Sequence, residues 1–261
     1  MQKLLIIASA LFWSILMVGS VAAQTAVTTY HYDNLRTGWN QNETLLTATN
    51  FPNNFGLLQT VELDDQVDAQ PLIVPSLNIA GGTHDVVYVV TESNTIYAID
   101  ASTGAILVQR NLGPPVPVTA SLHCNFNGPN VGINGTPVID LNSQTLYVIA
   151  YVNGSPPTYQ LHALNLTTLM DRWNSPLTVG ASHKLTNGSA YSFDATYERQ
   201  RPGLVLFYYR SKRPDLDVKP DAPRSAVSAT CFQRNHEVGF WGGALSILLG
   251  RLAVLGEATL L

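Results

Sequence analysis

Charge is scarce in this chain. Only 12% of its 261 residues are charged, about half of the roughly 25% that is usual in globular domains. The net charge of −4 gives no electrostatic reason to expect nucleic acid, so we predict no nucleic-acid partner. Apolar residues make up 46% of the chain, and it holds 19 glycines and 15 prolines. This composition is typical of a folded, turn-rich chain and not of a disordered one.

Cysteine is almost absent. The two cysteines, Cys124 and Cys231, allow at most one disulfide in an oxidising compartment. Two unrelated free thiols fit the sequence equally well, so their pairing stays open. His123 beside Cys124 is suggestive of an activated thiol, but neighbours on a strand point to opposite faces. We therefore favour a structural cysteine.

The common catalytic fingerprints are also missing. The chain has no G-x-S-x-G elbow, no Walker loop and no G-x-G-x-x-G, the motifs of hydrolases and of nucleotide or dinucleotide sites. Its histidines show no H-x-x-x-H or H-E-x-x-H spacing of metal ligands. We predict no catalytic residues and no metal ligands, and the sequence identifies no cofactor-binding residues. The six histidines are His31, His84, His123, His162, His183 and His236.

The first 23 residues predict export. Lys3 supplies a positive start, Leu4 to Val18 form an apolar run, and residues 19–23 are small or apolar, which together are typical of a signal peptide. We expect cleavage before Gln24 and an extracytoplasmic protein, periplasmic or secreted. The alternative is an uncleaved membrane anchor, but the apolar run is shorter than the ~20 residues that span a bilayer.

A repeat organises the middle of the chain. Residues 95–108 align with residues 160–173 at an offset of 65, and residues 68–74 align with 134–140 at an offset of 66. In this alignment Asp100 falls on Asn165. A third copy starts at residues 199–206, but we expect no further strand and turn to follow it.

Each copy has the pattern of antiparallel strands. Residues 86–90 and 95–99 are apolar runs joined by the turn residues Thr91 to Asn94, which predicts a hairpin. The runs are almost continuously apolar, so we expect both faces of the sheet to be covered, as in radially stacked sheets. Asp100 to Gly104 predicts a tight turn, after which Val108 or Trp173 returns as the next strand.

These repeats resemble those of the pyrroloquinoline-quinone (PQQ) β-propellers, whose signature is A-x-D-x-x-T-G-x-x-x-W. Ala98 to Gly104 matches it closely, with Val108 at the tryptophan place. Ala163 to Thr168 matches less well but is followed by Trp173. Tyr30 to Asn40 also resembles the opening segment of such propellers. The resemblance implies an all-β fold: an incomplete β-propeller of four-stranded blades over residues 24–206.

The tail, residues 207–261, departs from this pattern. Seven of the 14 basic residues lie after Leu206, and we expect an irregular or partly helical tail outside the propeller. Residues 244–249 and 252–255 favour a helix, but Gly250 and Arg251 interrupt it, so we expect no membrane insertion of the mature chain. We interpret the sequence as a propeller truncated or altered in frame after about Leu206, and hence as a fragment.

The family resemblance divides the functional hypotheses. Its quinone-dependent dehydrogenases imply PQQ and calcium near the propeller axis, an Asp base and often two adjacent cysteines, yet Asn125 follows Cys124 and no calcium-ligand set maps onto this chain. We therefore predict a non-catalytic binding or scaffold protein for a protein or glycan ligand, with no cofactor. The alternative is a divergent or truncated PQQ-dependent oxidoreductase, which would use PQQ and calcium.

Two polar segments are candidates for binding. One holds four carboxylates, whose spacing does not reproduce a D-x-D-x-D-G calcium loop, so we interpret it as a solvated acidic turn. The other, Cys124 to Gly135, is a polar, glycine-rich loop between the repeats. Since loops at one rim of a propeller commonly form binding surfaces, this loop is where we expect a ligand. The four carboxylates are Glu62, Asp64, Asp65 and Asp68.

Overall fold

The computed structural model shows a chain built from short antiparallel strands. It describes residues 25–44, 46–51, 55–118, 128–209, 224–230, 232–234, 244–248 and 251–252. The described residues are almost entirely strand, turn and loop, which confirms the predicted all-β class. No helix in this part of the chain has the length and apolarity that a membrane crossing needs.

The strands are numbered in chain order. They are β1 (Leu72–Ile79), β2 (Gly82–Val90), β3 (Thr95–Asp100), β4 (Ile106–Asn111), β5 (Val116–Pro117), β6 (Asn130–Val131), β7 (Val138–Asp140), β8 (Thr145–Val152), β9 (Thr158–Asn165), β10 (Leu177–Thr178), β11 (Ser182–Lys184), β12 (Ala190–Ser192), β13 (Glu198–Gln200), β14 (Val205–Tyr209), β15 (Arg224–Thr230), β16 (Phe232–Arg234), β17 (Ala244–Leu248) and β18 (Arg251–Leu252).

Three four-stranded antiparallel sheets dominate. The first sheet has the order β1-β2-β3-β4, the second β7-β8-β9-β10 and the third β14-β15-β17-β18. The pairs β5-β6, β11-β12 and β13-β16 form small two-stranded sheets. The two predicted four-stranded units are thus present, and a third sheet that we did not expect follows them. Their closure into a propeller stays a prediction.

The first two sheets are built alike. On the first sheet Tyr88 pairs with Ala98, and on the second Tyr147 pairs with Ala163. The turns that end β3 and β9 also match, because Oδ1 of Asp100 and of Asn165 accepts the backbone N–H of the second and third residues that follow. Side-chain acceptors of this kind stabilise tight turns. The sequence repeat is therefore a structural repeat.

One position in these turns requires a left-handed backbone. Gly104 fills it in the first turn with φ of 74°, and Leu169 fills it in the second with φ of 55°. Glycine adopts this conformation freely, whereas a leucine pays about 1–2 kcal/mol. The Leu169 side chain is fully buried in the core between the two sheets, and its burial offsets that cost.

The second sheet is covered on both faces, as predicted. Leu146 and Tyr147 are neighbours on β8 and point to opposite sides, yet both are at most 2% exposed. Leu146 belongs to the core shared with the first sheet. Tyr147 and Leu161 belong to a second core that also contains Leu206 of β14. The sheets are therefore stacked face to face.

Trp173 does not take the place predicted for it. Val108 does return as β4 and pairs with Ala98, but Trp173 lies in a turn and is 92% exposed. The chain reverses at Asn174, whose φ is 63°, and the next strand starts only at Leu177. A local reversal thus overrides the motif position.

The expectation of an irregular or partly helical tail is wrong for the described residues. Residues 224–230, 232–234, 244–248 and 251–252 are strands, and residues 244–248, expected to be helical, pair residue by residue with β15. Pairing with distant residues decides such cases, because helix propensity is only a weak preference. The boundary at Leu206 stays a prediction, and β14 runs across it.

Replacing a large buried side chain by alanine on either face of the second sheet should destabilise the protein strongly. We expect Leu146→Ala and Leu161→Ala each to lower the free energy of unfolding by about 2–5 kcal/mol, because each leaves a cavity in a packed core. Urea unfolding measures this. Leu141→Ala, at a position 41% exposed, is the matched control and should change stability by less than about 1 kcal/mol. A near-neutral result for either core variant would mean that its face is uncovered.

Candidate functional site

Three equivalent segments converge where the sheets begin. The backbone N–H of Gln70 donates to Oγ1 of Thr136 at 3.0 Å, and the N–H of Leu204 donates to the carbonyl of Thr136 at 2.9 Å. The middle segment therefore joins the other two. We call this region the strand-start centre. Its segments precede the first strand of each sheet and comprise residues 68–71, 134–137 and 200–204.

The N-terminal segment contacts the first strand of each four-stranded sheet. Val27 exchanges backbone hydrogen bonds with Ile73 of β1, and the carbonyl of Thr28 accepts the N–H of Ile139 of β7 at 2.8 Å. The side-chain amide of Asn34 donates to a carbonyl of β14 at 2.7 Å. We call residues 27–36 the strap, since they tie together β1, β7 and β14.

Arg36 fastens the strap to the strand-start centre. Its Nη1 donates to Oγ1 of Thr29 at 2.9 Å and to the carbonyl of Tyr30 at 2.7 Å. Its Nη2 donates to the carbonyls of Gly203 and Leu204 at 3.2 and 3.1 Å. The guanidinium also lies 5.5 Å from the centre of the Tyr30 ring, within the range of a cation–π contact. A planar group with five donors suits this position, and a lysine does not replace it.

Glu92 is the buried acid of the site. It lies in the turn between β2 and β3 and is 2% exposed. Its Oε2 accepts the backbone N–H of Gly132 at 2.7 Å, and its Oε1 accepts the side-chain N–H of Asn134 at 2.5 Å. Burial raises the pKa of Glu92 to about 7; the negative charges of Asp68 and Asp65 add to this rise, and the two hydrogen bonds oppose it. This carboxyl therefore titrates near neutral pH.

The linker between the first two sheets, residues 128–135, fits tightly around Glu92. A β-carbon at Gly132 would lie 2.2 Å from the carbonyl oxygen of Glu92, and one at Gly135 would lie 2.8 Å from the carbonyl oxygen of Pro202. Only glycine allows approaches this close. The linker belongs to the loop predicted as a ligand site, whose first residues, 124–127, lie outside the described residues.

The acidic turn was predicted to be solvated, and most of its carboxylates are exposed, but two of them also hold the turn to the rest of the fold. Both carboxylate oxygens of Asp64 accept hydroxyl hydrogen bonds, from Thr91 and Thr95. Oδ2 of Asp65 accepts from Ser93 at 2.8 Å and from a linker side chain at 2.9 Å. These carboxylates attach the acidic turn to the β2–β3 hairpin and to the linker. Three of the four carboxylates of the turn are exposed: Glu62, Asp64 and Asp68.

Two histidines pair with carboxylates. Nδ1 of His84 lies 2.5 Å from Asp100, a contact that lowers the pKa of Asp100 to about 2 together with hydrogen bonds of its turn. Nδ1 of His162 lies 2.9 Å from Asp171, which also contacts Arg110. Burial lowers the pKa of His162. Among the described residues no three of His, Cys, Asp and Glu come together to hold a metal ion. Four of the histidines and cysteines named from the sequence lie outside the described residues: His123, Cys124, Cys231 and His236.

Sequence reasoning identified the acidic segment and the glycine-rich loop but did not join them. It missed Glu92 and Arg36, which hold the centre together. A signal existed for Glu92, since it is a carboxylate within the turn of an otherwise apolar hairpin. No comparable signal exists for Arg36, because the two acceptors that join it to the strand-start centre, Gly203 and Leu204, lie more than 160 residues further along the chain.

Comparison with known proteins assigns no family to this chain. No protein-family model, no curated protein and no solved structure matches this chain. The function of the strand-start centre must therefore be argued from its own residues and contacts.

Replacing Glu92 should remove one component of the pH dependence of stability. Its pKa in the fold is raised from 4.5 to about 7, so its contribution is fully present below pH 4.5 and is lost as the pH rises through 7. At 1.36 kcal/mol per pKa unit this loss is about 3 kcal/mol. We expect the stability difference between wild type and Glu92→Gln to fall by that amount between pH 4 and pH 8 in urea unfolding. Glu62→Gln, an exposed control, should follow the wild type, and parallel curves for Glu92→Gln would refute the assignment.

Replacing Arg36 by a residue with fewer hydrogen-bond donors should weaken the attachment of the strap to the strand-start centre. We expect Arg36→Lys to lower the free energy of unfolding by about 2–3 kcal/mol, because a lysine cannot serve four acceptors in this geometry. Arg201→Lys is the matched control, since the Arg201 side chain is 69% exposed and should tolerate the change within about 0.5 kcal/mol. Thermal unfolding of both variants measures the difference, and equal losses would show that Arg36 is not a specific anchor.

Proposed function

We propose that this chain is an exported, non-catalytic binding or scaffold protein that presents the strand-start centre to a protein or glycan partner. The main support for this proposal is that three segments converge and that hydrogen bonds to one another and to Arg36 fix their polar groups. A preorganised set of donors and acceptors on a rigid sheet scaffold is suited to recognition, because little conformational freedom is lost on binding. Export rests on the signal-like residues 1–23.

We further propose that the sheets are blades of a β-propeller, with β1, β7 and β14 innermost. In a propeller the first strands of the blades face a common axis. The strap contacts all three of these strands, and the second sheet is covered on both faces. Both features support a radial arrangement, in which the strand-start centre would lie at one end of the axis.

The carboxylates beside the strand-start centre do not fit a calcium ion, which the oxidoreductase alternative requires. Calcium takes six to eight oxygen ligands. Both oxygens of Asp64 already accept hydrogen bonds, and so do both oxygens of Asp65 and of Glu92. We therefore place no step of quinone chemistry at these residues.

A dye-reduction assay separates the two functional classes. We expect the chain to reduce no dye when PQQ and calcium are added with alcohols or sugars as substrates. The control is a known quinone-dependent dehydrogenase assayed in the same buffer. Sustained, substrate-dependent reduction would overturn the non-catalytic proposal.

Binding at the centre is tested with an ion pair whose charged atoms lie 3.7 Å apart: Arg201, with a side chain 69% exposed, and Asp68, with a side chain 22% exposed. A glycan array and purified extracytoplasmic proteins are the probes. We expect the variant with both residues changed to Ala to bind any positive probe at least tenfold more weakly than the wild type, because it loses a donor and an acceptor at the surface. Lys184→Ala, an exposed change on β11, should bind like the wild type. Equal binding by all three proteins would exclude the centre as the binding site.

A further inference from the structure

Glu92 holds the linker through two donors of different kinds. The first is the backbone N–H of Gly132, whose direction is fixed by the chain. The second is the side-chain amide of Asn134, which can turn over. Turning an amide by 180° exchanges its oxygen and nitrogen with almost no change of shape. Of the two contacts, only the one to Asn134 can reverse its direction without moving the backbone.

The charges around Glu92 make a gain of one proton accessible. Asp65 and Asp68 face it from the acidic turn, and both disfavour its ionised form. Arg201, from the third segment of the centre, lies 3.7 Å from Asp68. Residues 128–135 of the linker contain no titratable side chain. Burial and like charge thus oppose ionisation while the two N–H donors favour it, which balances the two forms near neutral pH.

We propose that Glu92 is a proton switch: uptake of one proton at Oε1 turns over the side-chain amide of Asn134. A carboxylic acid keeps one acceptor oxygen and gains one O–H donor. The N–H of Gly132 can only donate, so Oε2 remains the acceptor and the proton from solvent goes to Oε1. The new O–H then faces the N–H of Asn134, and this clash of donors is relieved when Oδ1 of Asn134 turns towards it.

The turnover of the Asn134 amide changes which hydrogen-bonding groups the linker presents. At alkaline pH the N–H of Asn134 points at Glu92 and its Oδ1 points away. After proton uptake the Oδ1 points at Glu92 and the amide N–H groups point away. Because Asn134 is half-buried within the strand-start centre, an acceptor of that centre is replaced by donors. The inference concerns the regulation of the site in the proposed function, but the turnover itself requires no ligand.

The switch is tested by NMR on the full chain between pH 5 and pH 9 without ligand. The readouts are the ¹³C shift of the Glu92 carboxyl and the ¹⁵N shift of the Asn134 side-chain amide. We expect both to change with one shared midpoint at about pH 7. In Glu92→Gln the Asn134 signal should not depend on pH and should match the low-pH wild type, because the glutamine amide donates as the acid O–H does. Glu62→Gln is the exposed control and should titrate like the wild type.

Three results would overturn the switch. The Glu92 carboxyl could titrate near its ordinary pKa of 4.5, the Asn134 amide could stay constant while Glu92 titrates, or the Gly132 amide could lose its hydrogen bond instead. The wild-type titration alone decides among these, so the conclusion stands even where Glu92→Gln does not fold. No ligand is present in this experiment, so its failure is distinguishable from a failure of the proposed binding function.

Discussion

The strands of the second sheet are apolar on both faces, and neither face is stable in water. Each fully buried aliphatic or aromatic side chain contributes about 1.5–3 kcal/mol relative to exposure. Leu146 needs the first sheet to cover it, and Tyr147 needs the segment that leads into the third. An isolated copy of the repeat cannot meet this requirement, which is the general condition of stacked repeats. The stacking of the sheets follows from it.

Stacking brings together the segments that precede the first strands of the three sheets. The polar groups of these segments therefore lie close to one another. The polar groups that are buried between the segments before β1, β7 and β14 have no access to water, so they must satisfy one another. Thr136 bonds to both neighbouring segments, and Arg36 supplies donors to carbonyls of the third. Glu92 becomes buried because the linker passes over it, and its high pKa results from that burial.

Local signals in the sequence predicted the local structure well. The β2–β3 hairpin and the turn at Asp100 depend on residues close together in the chain, and both formed as expected. The position predicted for Trp173 was wrong because a place in the repeat motif does not determine the direction in which the chain turns next. The secondary structure predicted for the tail was wrong because strand pairing with distant residues determines it. The burial of Glu92 depends on a linker about 40 residues away, and no local pattern carries that information.

The strap has a consequence for the order in which the fold is completed. Arg36 and its acceptors Gly203 and Leu204 are separated by 167 and 168 residues. During synthesis the strap is made early, yet these partners leave the ribosome only after both of the first two sheets. Contacts of such long sequence separation form slowly because their loop-closure entropy is paid first. The hairpins of the first two sheets therefore form before Arg36 can bond to Gly203 and Leu204.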